Sequence, residues 1–136
     1  MASNRVWRNR NNKLVILDTN AILMCFEYSI DLDNEILNLV GKCKIIIPKP
    51  VYDEINILAK KGRENKKNKA IGSLKLIKNY KIISFECNLS VDEAVLYYAK
   101  KLDAYVVTND IELRKKLKIE SIPVIYLRGK QRLILD

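Results

Sequence analysis

Short runs of apolar, mostly β-branched residues recur along the chain and are separated by polar and charged stretches. Runs of this length and composition, bounded by polar residues, are typical of strands. They lie at LVIL (14–17), KIII (44–47), KIIS (81–84), AYVV (104–107) and PVIY (123–126), with a last candidate at RLIL (132–135). Because the runs are continuously apolar rather than alternating, they predict strands that are covered on both faces.

The segments between these runs show the spacing of amphipathic helices. Apolar residues recur three and four positions apart in three of them: Ile36, Leu37, Leu39 and Val40; Val51, Ile55 and Leu58; and Val91, Val95, Leu96 and Ala99. Strands that alternate with helices are joined by right-handed crossovers. The pattern therefore predicts a three-layer α/β domain with a mostly parallel sheet of about five strands. We expect a single domain over residues 13–136, preceded by a basic extension over residues 1–12.

One stretch breaks this alternation. Residues 60–69, KKGRENKKNK, contain six basic residues and one glycine and have almost no apolar content. Without a face to bury, such a stretch is expected to be a loop or a frayed helix end.

Composition narrows the classes of protein further. Of the 136 residues, 49% are hydrophobic, yet no stretch approaches the ~18 consecutive apolar residues of a membrane span. The basic N-terminus is not followed by an apolar segment of the kind found in secretory signals. We therefore expect a cytoplasmic protein with no membrane partner.

The chain has no histidine, which excludes Ser-His-Asp and Cys-His nucleophile arrangements. Its cysteines, Cys25, Cys43 and Cys87, are odd in number and widely spaced, so they indicate neither a disulfide framework nor a zinc ribbon. We interpret them as buried free thiols. Any catalysis must then depend on carboxylates, lysines or a hard metal ion.

The net charge of +9 favours a polyanionic partner, either nucleic acid or an acidic membrane surface. The excess is clustered in three places: Arg5, Arg8, Arg10 and Lys13; Lys60, Lys61, Arg63, Lys66, Lys67 and Lys69; and Arg114, Lys115, Lys116 and Lys118. Each cluster could equally be a solvated face.

Four acidic residues occupy comparable places in the predicted fold. Asp18 follows the first strand and Asp110 follows the fourth, while Glu54 and Asp92 fall in the first turns of helices that follow strands. In a parallel α/β sheet, ligands bind at the carboxyl ends of the strands. The four carboxylates can therefore converge there. Clustered carboxylates repel one another unless a cation lies among them, and Mg²⁺ and Mn²⁺ prefer oxygen ligands.

A separate structural explanation exists for most of these acids. Asp92 lies in a Ser-x-x-Glu capping box, Asp110 could cap the helix that follows it, and Glu54 could complement a helix dipole. Asp18 is harder to explain in this way, because an unpaired charge at the end of a central strand is costly.

The order of these motifs resembles the PIN-domain nucleases. It runs LDTN, then P-x-P-x-x-x-E-I after a strand, then D-E-A-x-L-x-x-A-K-K-L, then V-V-T-N-D-x-E-L-R, from Lys13 to about Arg128. The ending IPVIYLRGKQRLIL is similar to small stand-alone archaeal PIN proteins. The resemblance implies a Rossmann-like sheet and an acidic pocket that binds one or two Mg²⁺ or Mn²⁺ ions. It also implies a metal-dependent endoribonuclease.

The same resemblance implies roles for individual residues. It gives the catalytic and metal-binding acids as Asp18, Glu54, Asp92 and Asp110 and the supporting residues as Asn20, Thr108, Asn109 and Glu112. The basic clusters, rather than the resemblance, supply the candidate RNA contacts: Lys60, Lys61, Arg63, Lys66, Lys67 and Arg114.

The implied partners are RNA, as precursor rRNA, tRNA or mRNA, and an antitoxin or ribosome-assembly factors; a homodimer is a further expectation. A toxin and an rRNA-processing enzyme both remain open. So does a non-catalytic RNA-binding module, because basic charge and fold survive the loss of chemistry.

A receiver domain fits poorly because Asp18 has no adjacent acid and the third strand ends without an aspartate. Haloacid-dehalogenase phosphatases fit poorly because the chain lacks their D-x-D-x-T motif.

Overall fold

The computed structural model describes residues 13–84 and 88–136, which form six strands and six helices. In chain order these elements are β1 (Lys13–Leu17), α1 (Thr19–Glu27), α2 (Leu32–Val40), β2 (Cys43–Pro48), α3 (Lys49–Lys61), α4 (Glu64–Leu76), β3 (Lys81–Ile83), α5 (Val91–Leu102), β4 (Tyr105–Val107), α6 (Ile111–Ile119), β5 (Val124–Arg128) and β6 (Arg132–Leu135).

The strands form one sheet in the order β3-β2-β1-β4-β5-β6. All neighbouring pairs are parallel except β5 and β6, which are antiparallel. From β1 the chain builds outward to β2 and β3 on one side and then returns to add β4 and β5 on the other. The strand order therefore reverses between β1 and β4, and ligands bind at such reversal points in open α/β sheets.

Helices cover both faces of the sheet centre. Val15, Ile16 and Leu17 are successive residues of β1, so their side chains point to opposite faces, and each is 0% exposed. The same holds for Val106 and Val107 in β4. The α/β class, the mostly parallel sheet and the two-sided burial predicted from the apolar runs are confirmed.

The sheet has six strands rather than about five, because the last candidate run, 132–135, is a strand. It pairs with β5 through a tight turn in which Gly129 and Lys130 have φ of 65° and 61°. Positive φ at both central positions matches the right-handed twist of a hairpin. The edge strand β3 departs from two-sided burial, since Lys81 and Ile82 are exposed.

A loop or a frayed helix end was expected over residues 60–69; the segment does contain a helix end, but residues 64–69 are the start of a second helix. Lys60 and Lys61 end α3, a two-residue junction follows, and α4 begins at Glu64. Residues 64–69 of α4 include none that is buried, so this half of the helix carries no apolar signal. Ala70 and Ser73 are buried, and the helix packs against α1 and α3.

The helices of the described residues include none that is both long and apolar enough to cross a membrane. Cys25 is a buried free thiol, as predicted, whereas Cys43 is only half-buried. Cys87, and the predicted basic extension over residues 1–12, lie outside the described residues.

Candidate active site

A cavity of about 420 Å³ opens at the carboxyl ends of β1 and β4, where the strand order reverses. Four acidic side chains from distant parts of the chain line it: Asp18, Glu54, Asp92 and Asp110. These are the four acids that the sequence predicted to converge. Their catalytic and metal-binding roles stay predictions, but the structure places them around a single space.

Asp18 is the deepest of the four. Its main-chain N–H donates to Val107 O at 3.1 Å, which continues the pairing of β1 with β4 by one residue. Only 3% of the residue is exposed. Thr108 Oγ1 donates a hydrogen bond to Asp18 Oδ2 at 2.8 Å. The backbone of the sheet and one hydroxyl therefore fix this carboxyl group.

Burial raises the pKa of Asp18 from 3.8 to about 6. The hydrogen bond from Thr108 opposes the shift by stabilising the charged form, whereas the nearby negative charges of Asp92 and Asp110 add to it. The three carboxylates are thus close enough to interact electrostatically. A cation among them would relieve both the repulsion and the cost of burial.

Asp110 has two structural functions at once. As the N-cap of α6 it accepts hydrogen bonds from the main-chain N–H groups of Glu112 and Leu113, at 2.9 and 3.2 Å. Both bonds use Oδ1, so Oδ2 takes no part in the cap. The capping explanation considered for Asp110 is therefore correct, and the same residue also lines the acidic cavity.

Asp92 is not needed for the capping box of its helix. Ser90 Oγ accepts from the N–H of Glu93, and Glu93 Oε1 accepts from the N–H of Ser90. Asp92 stands between them in the first turn of α5, as predicted, and is half-buried at the cavity. The predicted capping box is therefore confirmed for Ser90 and Glu93, and Asp92 both stands in the first turn and lines the cavity.

Glu54 lies in the second turn of its helix rather than the first. The helix begins at Lys49, directly after β2, with Pro50 in its first turn. Proline suits this place because it lacks an N–H, and the first N–H groups of a helix have no partner within the helix. Glu54 is therefore five residues into α3 and reaches the cavity from the side of that helix.

The predicted supporting residues fall into two groups. Thr108 holds Asp18 and also accepts the main-chain N–H of Asp110 at 3.1 Å, and Asn20 lines the cavity. Asn109 and Glu112 do not line it. The Asn109 side chain bonds both main-chain groups of Leu127, at 3.0 and 2.7 Å, so it attaches the end of β5 to the loop before α6. It does not orient the carboxylates from close range.

Glu112, the expected auxiliary acid, is exposed in the first turn of α6 and lies 4.0 Å from Lys115. An acid at that position complements the helix dipole.

Of the predicted RNA contacts, only Lys66 lines the acidic cavity. Four others are exposed where α3 ends and α4 begins: Lys60, Lys61, Arg63 and Lys67. Arg114 lies elsewhere. Its guanidinium stacks 4.1 Å from the ring centroid of Tyr126 and lies 3.9 Å from Asp136. The structure thus groups five of the six basic residues and separates Arg114 from them.

Sequence reasoning missed Thr19. The residue lines the cavity, and its hydroxyl is buried and has no hydrogen-bond partner within the described part of the chain. Thr19 stands between Asp18 and Asn20 in the LDTN motif, so its position beside the carboxylate was visible in the sequence. Its lack of a partner was not, because that depends on packing.

The donors around this cavity fit a hard divalent ion by their chemistry. The donor atoms available are carboxylate, hydroxyl and amide oxygens, the ligands that Mg²⁺ and Mn²⁺ prefer. The partnerless hydroxyl of Thr19 and the mutually repelling acids both call for a further group. Within residues 13–84 and 88–136, however, no three acidic, cysteine or histidine side chains are drawn closely enough together to hold an ion.

Comparison with known families and proteins gives consistent results. A family model described as "PIN like domain" matches residues 15–130. Ribonuclease VapC4 of Methanocaldococcus jannaschii is 37% identical over 121 residues, which span 86% of this chain and 92% of that protein. Ribonuclease VapC9 of Archaeoglobus fulgidus is 29% identical over 131 residues, which span 95% of each chain.

Among solved structures, the PIN domain endonuclease Utp24 is similar in fold, with a TM-score of 0.79 over 94% of both chains. The two sequences are 21% identical, so this likeness concerns the fold.

Proposed function

This chain belongs to the PIN-like domain family, and from that premise we propose that it is an endoribonuclease that hydrolyses RNA with the help of one or two Mg²⁺ or Mn²⁺ ions. The family predicted from the sequence is confirmed. The observation that carries the proposed activity is the gathering of four acids around one cavity at the reversal of strand order. The two VapC ribonucleases, which this chain matches over nearly its whole length, support RNA as the substrate.

The VapC relatives favour a toxin-type ribonuclease with an antitoxin partner over an rRNA-processing enzyme. The likeness to Utp24 supports only the fold, and it leaves the rRNA role without support of its own. A homodimer and ribosome-assembly partners stay predictions from the sequence.

The residues that would hold the ions are Asp18, Asp92, Asp110 and Glu54. When bound, a divalent ion would lower the pKa of water and stabilise charge on the leaving oxygen. The remaining contributions come from the chain itself. Thr108 fixes Asp18 through Oδ2, and the α6 cap fixes Asp110 through Oδ1. Both carboxylates are thus positioned before any substrate arrives.

The phosphate would be received by positive groups around the acids. The helices α1, α5 and α6 begin next to Asp18, Asp92 and Asp110, respectively. Helix N-termini attract anions. Lys66 adds a cation at the cavity wall. In-line attack of water on the phosphorus then breaks the bond to the 3′-oxygen, leaving a 5′-phosphate on one product and a 3′-hydroxyl on the other.

A non-catalytic RNA-binding module is the second candidate. One observation favours it: across the described residues, the acids are not drawn together into an assembled metal site. Both candidates share the fold and the basic residues, so only a test of chemistry separates them.

The test is cleavage of a labelled, structured RNA with Mn²⁺, with Mg²⁺ and with EDTA, followed by mapping of the product ends. We compare wild type with Asp18→Asn, which removes the buried charge while keeping the shape. Asp33→Asn is the matched control, because this exposed carboxylate accepts a hydrogen bond from Tyr80 at the opposite end of the sheet.

We expect metal-dependent cuts with 5′-phosphate ends in wild type and Asp33→Asn, and none in Asp18→Asn, which should still bind RNA. Cleavage by Asp18→Asn at the wild-type rate would refute the site assignment. RNA binding without cleavage by wild type under every condition would favour the binding module.

A further inference from the structure

A second cavity, of about 460 Å³, lies next to the acidic one and shares two wall residues with it, Glu54 and Val91. It is formed by the first half of α3, the start of α5 and residues on the approach to α5. Its volume falls in the usual range for small-molecule sites, roughly 300–1,000 Å³. No step of the proposed hydrolysis uses it, so it needs an explanation of its own.

The walls of this second cavity combine apolar and polar side chains in about equal share and include one aromatic ring. Pro50, Ile57 and Leu89 line it together with Tyr98, which is only 3% exposed. Hydroxyl and amide groups of Ser84, Ser90 and Asn88 supply donors and acceptors at its edge. Apolar and aromatic side chains beside such polar groups suit a ligand that has an apolar face and is hydrogen-bonded along its rim.

The charges make this cavity a poor phosphate site. Its one lysine, Lys49, is paired with Asp53, with Nζ 3.0 Å from Oδ1. Among the described residues, the remaining acidic wall residue is Glu54. Since the described part of the wall contains no unpaired cation, an uncharged ligand is favoured over an anion.

We propose that this second cavity receives one unpaired nucleobase of the RNA, from a nucleotide next to the phosphate that is cleaved. The inference rests on the proposed function. With Glu54 and Val91 forming a common wall, a phosphate in the acidic cavity places its neighbouring base at the entrance of the second one. A base can enter only if it is unstacked and unpaired, which is how proteins commonly read RNA. The cavity thereby directs cleavage to single-stranded positions.

The experiment is a double-mutant cycle between enzyme and substrate. The substrate is a short RNA cut at one position, in which each nucleotide flanking the cut is replaced in turn by an abasic residue. The enzymes are wild type and Ile57→Ala, which removes an exposed apolar part of the wall. Ile119→Ala is the matched control, because Ile119 is 82% exposed on α6 and lines neither cavity.

At one flanking position, the abasic substitution should lower kcat/KM about tenfold in wild type and Ile119→Ala, the size expected for loss of a packed base. In Ile57→Ala the same substitution should cost less than about twofold, because the contact is already lost. An equal loss in all three enzymes, or no loss in any, would overturn the proposal and assign the cavity to another occupant, such as a side chain of a partner protein.

The same cycle is measured as Kd by fluorescence anisotropy with Asp18→Asn as the background, so that it does not depend on cleavage. If wild type cuts no RNA, the proposed hydrolysis fails while the binding cycle still decides the base site. If wild type cuts RNA but both cycles are additive, the base site fails and the hydrolysis stands.

Discussion

A single hydroxyl links the carboxylate of Asp18 to the main chain of Asp110. Thr108, which is 0% exposed, donates to Asp18 and accepts from the main-chain N–H of Asp110. Its own N–H donates to Ile125 O at 2.9 Å, which fixes it to β5. The acids on two neighbouring strands are therefore held in a common frame by one residue. A buried hydroxyl in such a bridge cannot be replaced by an apolar isostere without leaving polar groups unpaired.

The raised pKa of Asp18 predicts how its charge affects stability. The folded protein holds the proton more tightly, with a pKa of about 6 against 3.8, so the unfolded chain ionises first as pH rises. Ionisation of Asp18 therefore lowers the free energy of unfolding between pH 4 and pH 6, and the loss is complete above pH 6. Below pH 4 the carboxyl is largely protonated in both states and the penalty is absent.

Asp18→Asn should therefore be more stable than wild type at pH 8 in EDTA, by about 3 kcal/mol. The difference should shrink towards zero at pH 4, where wild type also carries an uncharged group. Urea unfolding of both proteins at several pH values measures it. A stability difference that stays constant from pH 4 to pH 8 would contradict the assigned burial of charge.

Two substitutions at Asp110 separate the effect of its charge from its effect as a helix cap. Asn caps helices about as well as Asp, whereas Ala costs about 1 kcal/mol. Asp110→Asn should thus keep wild-type stability yet lose RNA cleavage, because the carboxylate is gone and the cap remains. Asp110→Ala should lose both. Thermal unfolding and cleavage assays on the two variants check this, and full activity in Asp110→Asn would show that the residue acts only as a cap.

At the level of residues, the sequence predicted the acids better than their surroundings. Asp18 and Asp110 are placed by strand ends, which are visible as the ends of apolar runs. The pairing of Asn109 with Leu127 spans 18 positions and depends on where β5 lies, so no local pattern indicates it. The second cavity is likewise built from separate segments whose approach is set by packing.

At the level of elements, the apolar runs located all six strands, and the helices were found where a large apolar stripe exists. The helix α4 was missed because residues 64–69 are not buried and its two buried positions, Ala70 and Ser73, are small. Small residues allow close contact with a neighbouring helix but give little hydrophobic signal. Glu54 was predicted in the first turn of its helix rather than the second, because the residue at which a helix starts is uncertain when the cap geometry is not known.

The junction of α3 and α4 predicts a salt effect. Lys60, Lys61, Lys66 and Lys67 are exposed there, and Lys66 lines the acidic cavity. Replacing all four by Gln should weaken RNA binding and reduce the slope of log K against log salt by up to roughly 3, since each phosphate contact releases counterions. Kd measured over a range of salt concentrations gives the slope.

The matched control replaces four lysines near the amino ends of β2 and β3, Lys42, Lys44, Lys78 and Lys81, which are also exposed. This variant has the same change in net charge but leaves the junction intact, so its slope should stay close to that of wild type. Equal slopes for the two quadruple variants would assign the effect to net charge rather than to a contact.

At the level of the whole molecule, an acidic cavity is set within a chain of net charge +9. The positive field favours the approach of RNA. The acids, in contrast, repel both one another and the phosphate. The fold tolerates this local repulsion because the central sheet is buried on both faces and supplies the stability that the site does not.

Metal binding should therefore be visible in the stability of the whole chain. An ion that binds only the folded state raises the free energy of unfolding by RT ln(1 + [L]/Kd), about 2.7 kcal/mol at a hundredfold excess over Kd. For a domain of this size that corresponds to a rise in Tm of roughly 10 °C. Mn²⁺ should give this shift in wild type and none in an Asp18→Asn, Asp92→Asn double variant, measured by thermal unfolding. In EDTA the double variant should have a higher Tm than wild type, because it no longer carries the repelling charges. If Mn²⁺ does not stabilise wild type, the four acids do not bind the ion, and the non-catalytic RNA-binding module is favoured.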